Sequence, residues 1–600
     1  MIPYQAPLAE MRFVMTELAG LAQVAELPGF EDATPDTAAA ILEEAAKFAT
    51  GILDPLNRVG DREGTRLAAD GKVTTPSGFK DAYRQFCELG WNGLAKNPHF
   101  GGQGMPLLVA AAVDEMWNAA NMAFELAPML TGGAIEAIER NGSDALKLAY
   151  LPKMVSGEWT GTMNLTEPQA GSDLAAVRTR AEPQGDGSYR LYGNKIFITY
   201  GEHDLTSNIV HLVLARTPGA PAGTKGISLF VVPKFVVNPD GSPGARNDVR
   251  CVSLEHKLGI HASPTAVLAF GDAGGAVGHL VGEENRGLEY MFVMMNQARF
   301  GVGMQGVAIA DRAWQLARSY ARERIQGKPA GAAKDAPTPG IVSHPDVRRM
   351  LMTMRALAEA TRALGYVTAA ALDRASHHPD PDARRSDLAF AELMIPIVKG
   401  WGTEMAQRVT YLGVQVHGGM GFIEETGAAQ YARDARITTI YEGTTGIQAN
   451  DLVARKVARD EGAALKVAIA HVRDVERELA VAKDGHLASI GTRLRTGVDA
   501  LADAGRFVVG GYRADPRAVL AAAVPFLELA GLVFGGEQLA RGAAIAAAKL
   551  ARGEGDADFM RAKIATARHF ADHLLTQAPG LRDTIVDGAA GVLALADDAL

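Results

Sequence analysis

The chain has 600 residues, 48% of them hydrophobic and 22% charged, a composition typical of a globular enzyme and unlike that of a disordered protein. The formal net charge of −9 at pH 7 provides no basic surface for nucleic acid, so a nucleic-acid partner is not expected. Cys87 and Cys251 are the only cysteines. They are too few for a disulfide framework and too far apart for a zinc motif, which favours a reducing, cytoplasmic location.

The N-terminal quarter of the chain is predicted to be helical. Residues 1–36 form an extension that lacks the basic and apolar segments of a signal peptide. From Thr37 to Leu56 apolar residues recur every three or four positions, which is the helical period, and Pro35 with Asp36 provides a helix start signal. An N-terminal helical domain is therefore expected over residues 37–157.

A β-domain is predicted over residues 158–275. Three segments are short, rich in β-branched residues and bounded by turn signals: Tyr189–Thr199, Ile209–Arg216 and Gly226–Pro233. The segments between them are too short for helical crossovers, so the strands are expected to form an antiparallel sheet.

Helical spacing returns after the β-domain. It predicts a helical bundle over residues 276–455, interrupted by a Pro/Gly/Ala-rich loop at 326–340, and an additional helical domain over residues 456–600. The longest apolar window, Val519–Gly536, carries a proline and a glutamate and barely reaches spanning length, which favours a buried helix over a transmembrane one. Peripheral membrane contact there is the lesser alternative. The fold class is multidomain α+β.

Gly301, Gly303 and Gly306 match the G-x-G-x-x-G pattern of dinucleotide-binding proteins. That fingerprint requires a strand directly before it and a surrounding βαβ unit. Here the helical period continues on both sides of the glycines. Close packing between helices is the favoured interpretation, and a nicotinamide-dependent dehydrogenase is the alternative.

Two segments of the β-domain have side chains suited to a flat, polar ligand. Met163–Glu182 turns between two predicted strands, and the hydroxyls of Thr166 and Ser172 could hold the polar edge of a heterocycle or a phosphate. Phe197 and Thr199 are two residues apart on a strand and therefore share a face. An aromatic ring beside a hydroxyl suits stacking and edge hydrogen bonding, although in isolation an ordinary sheet face is the better explanation of Phe197 and Thr199.

Two further motifs lie in the helical region. Gln415–Phe422 ends a helical run with paired glycines, which either cap the helix or permit close approach of a ligand. The His/Asp-rich segment Ser376–Asp382 lies in a proline-broken turn without a matching cluster elsewhere in the sequence. It is interpreted as a solvated loop, and no metal site is predicted.

Glu442 stands between an aromatic residue and a glycine, directly after the β-branched, half-apolar run Ala435–Ile440. It is either a solvated loop residue or a base held beside an apolar slot. Desolvation of a carboxylate disfavours its charged form, so the second environment would make it a better proton acceptor. The residues around Glu442 alone leave both interpretations open.

Taken in chain order, the segments TEPQAGSD, NKIFITYG, RERIQG, QVHGGMGF and RDARITTIYEGTTGIQ resemble the acyl-CoA dehydrogenase family. The resemblance covers about residues 37–455. The extra C-terminal domain is similar to that of the branch containing bacterial 3-methylmercaptopropionyl-CoA dehydrogenases, with the very-long-chain enzymes as the second comparison. The resemblance implies an N-terminal helical domain, a middle antiparallel β-domain, a C-terminal helical bundle and the additional helical domain.

The resemblance implies FAD-dependent oxidation of an acyl-CoA thioester to the trans-2-enoyl-CoA. Glu442 matches the family's catalytic base, which removes the α-proton while the flavin accepts the β-hydride. Electrons then pass to an electron-transfer flavoprotein, and FAD lies at the interface of a homodimer. Ala298 occupies the position where some relatives carry the base, which strengthens the assignment to Glu442. An acyl-CoA oxidase on the same scaffold remains an alternative. The acyl group is open among 3-methylthiopropanoyl, medium and long chains.

The resemblance also assigns binding residues. Those matching FAD-binding positions are Met163, Leu165, Thr166, Ser172, Phe197, Thr199, Arg324, Gln326, Gln415, Gly418, Gly419 and Thr444. Those matching substrate-binding positions are Ser172, Asn296, Arg299, Tyr441 and Gly443. The sequence departs from the family pattern at Gly446, where a glutamine is usual, and in the loop after Arg324, which is one residue shorter.

Overall fold

The computed structural model describes residues 2–333 and 335–600, and these form two compact units. The sheet unit contains Lys47–Met105 and Ala120–Gly301. The helical unit contains the residues up to Ala46, together with Pro106–Ala119 and Val302–Leu600. Met1, in the predicted N-terminal extension, and Lys334, in the predicted loop at 326–340, lie outside the described residues.

Helices occupy both the N-terminal and the C-terminal parts of the chain, as predicted. Those before the large sheet are α1 (Leu8–Phe13), α2 (Leu21–Ala25), α3 (Pro35–Phe48), α4 (Asp54–Glu63), α5 (Phe79–Glu88), α6 (Leu107–Asn141) and α7 (Asp144–Val155). Those after it are α8 (Gly287–Glu323), α9 (Pro345–His377), α10 (Pro381–His417), α11 (Ala428–Ala435), α12 (Thr445–Asp451), α13 (Ala463–Ala480), α14 (Gly485–Gly511), α15 (Pro516–Ala521), α16 (Ala523–Arg552), α17 (Ala557–His573), α18 (Ala578–Asp587) and α19 (Ala589–Val592).

The strands lie in one large sheet and two small hairpins of the sheet unit. They are β1 (Arg66–Leu67), β2 (Val73–Thr74), β3 (Trp159–Asn164), β4 (Arg180–Pro183), β5 (Tyr189–Thr199), β6 (Asn208–Ala215), β7 (Ser228–Pro233), β8 (Phe235–Val237), β9 (Pro243–Arg246), β10 (Val249–Leu254), β11 (Thr265–Phe270) and β12 (Ala276–Leu280). The large sheet has the order β10-β11-β5-β12-β7-β6-β3, and β4 pairs with β5 off this path.

The predicted antiparallel pairing is confirmed for the large sheet except at one edge. There β3 pairs with β6 in parallel, with Trp159 opposite Asn208 and Asn164 opposite Val213. The parallel pair is possible because β4 and β5 lie between β3 and β6 in the chain and return it to the same end of the sheet. A further strand, β12, follows Gly275, where the β-domain was predicted to end.

The longest strand, β5, contains a β-bulge. The pairs Ala266–Ile198 and Leu268–Lys195 leave two residues of β5 opposite a single residue of β11. The bulge places Phe197 in the left-handed region with φ of +60°. The regular two-residue alternation expected for this strand is therefore interrupted at Phe197.

Helix α8 runs without a break through the three glycines of the G-x-G-x-x-G match. A Cβ on Gly303 would lie 2.5 Å from Val398 Cγ1, and a Cβ on Gly306 would lie 3.0 Å from the carbonyl oxygen of Gly402. Both contacts are with α10. The interpretation of these glycines as helix-packing residues is confirmed, because the match lies inside a helix and not between a strand and a helix.

Two of the C-terminal helices of the helical unit begin at aspartate side-chain caps. Asp484 accepts hydrogen bonds from the His486 and Leu487 amides at the start of α14, and Asp515 accepts one from the Ala518 amide at the start of α15. The apolar window at 519–536 lies mostly in α16 and is largely buried. Among the helices described, none combines the length and the apolar character needed to cross a membrane.

Candidate active site

Glu442 follows a short helical segment of the helical unit. After α11, residues Arg436–Thr439 form a 3-10 turn, although the alternating pattern of this run is more typical of extended structure. The hydroxyl of Thr438 donates a 2.7 Å hydrogen bond to the Ala435 carbonyl oxygen. Such back-bonding allows a threonine to remain in a helical turn despite its β-branched side chain.

The backbone at Glu442 is strained. Glu442 has φ of +55° and Gly443 has φ of +88°, so two consecutive residues are left-handed. For a residue other than glycine this conformation costs of the order of 1–3 kcal/mol, and such residues cluster at functional sites. A Cβ on Gly443 would lie 2.8 Å from Gln448 Nε2, so this turn requires glycine at 443. The half-buried position of Glu442 argues against a freely solvated loop residue.

Two fully buried side chains hold the carbonyl groups of this turn. Lys399 Nζ, from α10, donates a 2.6 Å hydrogen bond to the Gly443 carbonyl oxygen. Gln448 Nε2, from α12, donates to the carbonyl oxygens of Glu442 at 3.0 Å and Gly443 at 3.3 Å. Neither residue was among the predicted site residues. The sequence feature that could have pointed to Lys399 is its place as the single lysine inside the apolar run Leu393–Trp401.

The residues on either side of Glu442 and Gly443 are also fixed. The Tyr441 hydroxyl donates to Gln305 Oε1, and Gln305 is fully buried. Burial and, secondarily, the charge of Glu442 raise the pKa of Tyr441 well above its usual range, so the phenol stays neutral beside the carboxylate. Thr444 caps α12 by accepting a 3.4 Å hydrogen bond from the Ile447 amide.

The C-terminal ends of α8 and α10 lie side by side in the helical unit. The rings of Tyr320 and His417 are stacked with centroids 4.3 Å apart. Arg324 follows Tyr320 by one helical turn, and its Nη2 donates to Gln326 Oε1 at 3.2 Å. The structure therefore places Arg324 and Gln326 together, at the helix end that neighbours Gly418.

The paired glycines after α10 are not required by packing within the described chain. A Cβ on Gly418 or Gly419 would meet no atom within 4 Å, whereas a Cβ on Gly421 would lie 2.2 Å from the Val414 carbonyl oxygen. Gly418 has φ of +60°, and Gln415 nearby is exposed. The open backbone at 418–419 fits close approach of a bulky ligand better than a purely structural role.

In the sheet unit, the turn after β3 lies beside the bulge in β5. The Ile196 amide donates to the Thr166 carbonyl oxygen at 2.9 Å, and Lys195 Nζ donates to that of Leu165 at 3.0 Å. Leu165 and Thr166 are therefore adjacent to the segment that carries Phe197. The Phe197 side chain is 59% exposed. A large aromatic ring presented outward on strained backbone is poorly explained by core packing and is well suited to stacking on a flat ring.

A buried ion pair fixes the same turn. Lys195 Nζ lies 2.8 Å from Glu167 Oε1, and Glu167 also accepts hydrogen bonds from the Thr179 hydroxyl and the Arg178 amide. Burial alone would raise the pKa of Glu167, but the charge of Lys195 and these hydrogen bonds lower it to about 2. The pair was not among the predicted residues, although both members lie in the TEPQAGSD and NKIFITYG segments.

The other predicted residues of the sheet unit have mixed exposure. Ser172 is exposed in the turn after β3, whereas Met163 and Thr199 are half-buried. Asn296 and Arg299 lie one helical turn apart on α8, the first exposed and the second buried. Within the sheet unit the exposed ring of Phe197 fits stacking on a flat cofactor, and within the helical unit the open backbone at 418–419 fits close approach of a bulky ligand.

Family models match nearly the whole chain. The acyl-CoA dehydrogenase N-terminal, middle and C-terminal domain models match residues 35–158, 162–273 and 285–457, and a model described as acetyl-CoA dehydrogenase C-terminal like matches residues 454–596. The chain belongs to the acyl-CoA dehydrogenase family. The predicted fold class and the predicted enzyme class, an oxidoreductase, are confirmed. Members of this family depend on FAD, so the predicted cofactor is confirmed as well.

Relatives and solved structures share the full length of this acyl-CoA dehydrogenase. The 3-methylmercaptopropionyl-CoA dehydrogenase of Ruegeria pomeroyi is 51% identical, over 97% of this chain and 98% of the relative. Caenorhabditis elegans ACDH-11, solved in complex with C11-CoA, superposes with a TM-score of 0.77 at 20% identity, covering 98% and 96% of the two chains. An acyl-CoA dehydrogenase from Bacillus anthracis, complexed with FAD, superposes with a TM-score of 0.74 at 21% identity, covering 97% of this chain and 94% of the other. The two structures share the fold, including the additional C-terminal helices.

Proposed function

We propose that this acyl-CoA dehydrogenase converts a short thioether acyl-CoA, 3-methylthiopropanoyl-CoA, to its trans-2-enoyl thioester with Glu442 as the base. The observation that carries the role of Glu442 is its backbone, held left-handed at φ of +55° by buried donors on the following carbonyls. Strain maintained by surrounding structure is expected where a reactive side chain must be held in one orientation.

The chain's residues would act on the proton and on the thioester oxygen. The Glu442 carboxylate accepts the α-proton, and the electron pair of that C–H bond becomes the new Cα=Cβ bond as a hydride departs from Cβ. The substrate thus loses one proton and one hydride, a two-electron oxidation. Bound FAD supplies the acceptor for that hydride. The Glu442 amide donates to the thioester oxygen as negative charge develops there.

The residues proposed to hold FAD are those that match the family's FAD-binding positions. In the sheet unit Phe197 would stack on the flavin ring, with hydrogen bonds from Thr166 and Thr199 at its edge. The remaining FAD residues are Met163, Leu165, Ser172, Arg324, Gln326, Gln415, Gly418, Gly419 and Thr444. The neutral phenol of Tyr441 and the backbone of Gly443 would line the acyl slot, and Ser172, Asn296 and Arg299 would contact the remainder of the substrate.

The proposed acyl group is supported by the similarity to the 3-methylmercaptopropionyl-CoA dehydrogenase of Ruegeria pomeroyi, which is 51% identical over nearly the full chain. An electron-transfer flavoprotein is the proposed electron acceptor, and a cytoplasmic homodimer is the proposed form of the enzyme. The domain boundaries after residues 36, 157, 275 and 455 also remain proposals.

Glu442→Gln tests the central assignment. The variant should retain bound FAD but lose about 10²–10⁴-fold in turnover, the range typical of a missing general base. Glu461→Gln is the matched control, because Glu461 is also left-handed at φ of +56° but is exposed and forms a surface ion pair with Arg513. Normal turnover by Glu442→Gln would rule out the proposed base.

Anaerobic bleaching of the bound flavin tests the substrate. 3-Methylthiopropanoyl-CoA should bleach the flavin faster than butyryl-CoA or a long-chain acyl-CoA at equal concentration. Faster bleaching by a long-chain thioester would refute the thioether assignment. Readmitting oxygen then tests the proposed electron acceptor, since rapid reoxidation of the bleached flavin by oxygen alone would identify an acyl-CoA oxidase.

A further inference from the structure

The turn that carries Glu442 is held by hydrogen-bond donors from two different helices. Lys399 on α10 donates to the Gly443 carbonyl oxygen at 2.6 Å, and Gln448 on α12 donates to those of Glu442 and Gly443. Lys399 and Gln448 have no exposed surface. An ammonium placed in the interior requires strong hydrogen bonds, and bonds from a charged donor are about twice as strong as neutral ones.

These donors counteract the strain in the turn. A glutamate at φ of +55° would relax to a negative φ if nothing held the following peptide groups. Such a rotation would move its carboxylate relative to the backbone. Because both carbonyls that follow the Glu442 Cα are engaged, the relaxed conformation would break three hydrogen bonds. The donors therefore favour the left-handed conformation.

The additional C-terminal region packs, through α16, against the two helices that carry these donors. A Cβ on Gly400, the residue after Lys399, would lie 2.6 Å from Leu527 Cδ2 on α16 and 3.2 Å from Gln448 Cβ. The next residue, Trp401, is seated on α16, since a Cβ on Gly531 would lie 2.1 Å from its Cγ. α16 thus packs directly against the segment that carries Lys399.

We infer that Lys399 and Gln448 are positioning residues for Glu442, and that α16 fixes them in place. The inference rests on the proposed role of Glu442 as the base. It assigns to the additional C-terminal helices a part in catalysis that does not involve contact with substrate.

The variants Lys399→Met and Gln448→Met test this inference in the full-length holoenzyme. Each should lower kcat by about 100-fold, the loss expected from misplacement by about 1 Å, with KM little changed. Amide hydrogen exchange in residues 440–446 should become faster in both variants. This second measurement does not depend on turnover.

The pH profile separates the two donors. Lys399→Met removes the ammonium that lies 2.6 Å from the Gly443 carbonyl oxygen, next to the proposed base, so the acidic limb of the kcat profile should move to higher pH. Gln448→Met removes a neutral donor and should leave that limb in place while lowering kcat. A purely structural role for Lys399 would lower the folded fraction without moving the limb.

The controls are a lysine and a glutamine that donate hydrogen bonds elsewhere in the helical unit. Lys456 pairs with Glu392 at 2.8 Å on the surface, and Gln315 donates to the Gln5 carbonyl oxygen at 2.8 Å. Lys456→Met and Gln315→Met should leave the kcat limb and the exchange of residues 440–446 unchanged. If Lys399→Met does not fold, Gln448→Met with its control carries the test.

The outcomes distinguish this inference from the proposed function. Unchanged kcat and unchanged exchange in both donor variants, together with an inactive Glu442→Gln, would overturn the positioning role and leave the base assignment intact. An active Glu442→Gln would overturn the base assignment, whatever the donor variants do. Faster exchange with lowered kcat in both donor variants supports the inference.

Discussion

The ammonium of Lys399 lies 2.6 Å from the carbonyl oxygen of Gly443, one residue beyond the proposed base. A buried lysine on a long helix thereby reaches the backbone of a short, strained turn. Sites built on rigid elements hold their reactive groups more precisely than sites built on loops alone. Here the loop is short and its conformation is set by α10 and α12, so changes that disturb the turn should affect activity.

Gly443→Ala should destabilise the protein and lower its activity. The new Cβ would combine φ of +88° with a 2.8 Å contact to Gln448 Nε2, so a loss of more than about 1 kcal/mol in the free energy of unfolding is expected. Gly446→Ala is the control, because its Cβ would meet nothing closer than 3.9 Å, and it should be neutral or slightly stabilising. Urea unfolding and kcat check both variants, and equal stability of the two would contradict the proposed strain.

Phe197→Leu should weaken FAD binding without lowering the stability of the apoprotein. The ring is 59% exposed, so its loss removes little core packing, whereas loss of aromatic stacking should weaken FAD binding roughly three- to tenfold. Leu148→Ala, at a side chain 66% exposed in the same unit, should leave FAD binding unchanged. Fluorescence titration of apoprotein with FAD measures the difference. Wild-type affinity in Phe197→Leu would remove this residue from the flavin site.

Glu167→Gln should destabilise the protein by about 3–5 kcal/mol, because it leaves the buried Lys195 charge without its partner. The matched control is Glu182→Gln, which breaks a surface pair with Arg180 in the same unit and should cost at most about 1 kcal/mol. Denaturant unfolding provides both values. A similar loss in the two variants would mean that burial of the Glu167–Lys195 pair has no energetic consequence.

The same carboxylate predicts a pH dependence of stability. Glu167 has its pKa lowered to about 2 in the folded protein from an ordinary value of 4.5, so the unfolded chain binds its proton more readily. Its contribution to stability is therefore complete above about pH 4.5 and is lost as the pH falls toward 2. The wild-type minus Glu167→Gln difference in unfolding free energy should shrink over that interval. A difference that grows on acidification would contradict the lowered pKa.

Gly531→Ala should strongly destabilise the protein, because its Cβ would overlap the indole of Trp401 at 2.1 Å. Gly510→Ala, at an exposed position near the end of α14, meets no atom within 4 Å and should stabilise by about 0.5–1 kcal/mol through helix propensity alone. Thermal unfolding compares the two. A mild effect at Gly531 would show that α16 can shift away from α10.

The order of the motifs along the chain was sufficient to predict the family, the fold class and the cofactor. Periodicity located the helices and most strands because it reports which faces are buried. It could not predict the parallel β3–β6 pair or the bulge at Phe197, since both depend on how distant segments pair.

The residues that support the site were harder to predict than the residues proposed to react. Glu442 was found from its motif, but nothing local to it points to Lys399 or Gln448. A buried lysine can be recognised in an apolar run, yet the carbonyl that it reaches depends on the packing of α10 against a turn more than forty residues later. The Glu167–Lys195 pair is similar, because Glu167 lies in the turn after β3 whereas Lys195 lies in β5.

The seating of Trp401 in α16 has a consequence for engineering this enzyme. Shortening the chain near residue 455, to resemble relatives without the additional helices, would uncover an indole that is 1% exposed and remove the surface against which it lies. The last quarter of the protein is therefore not a detachable module. Transplanting it between enzymes would require that both glycines of α16 that face this indole, Gly531 and Gly535, travel with it.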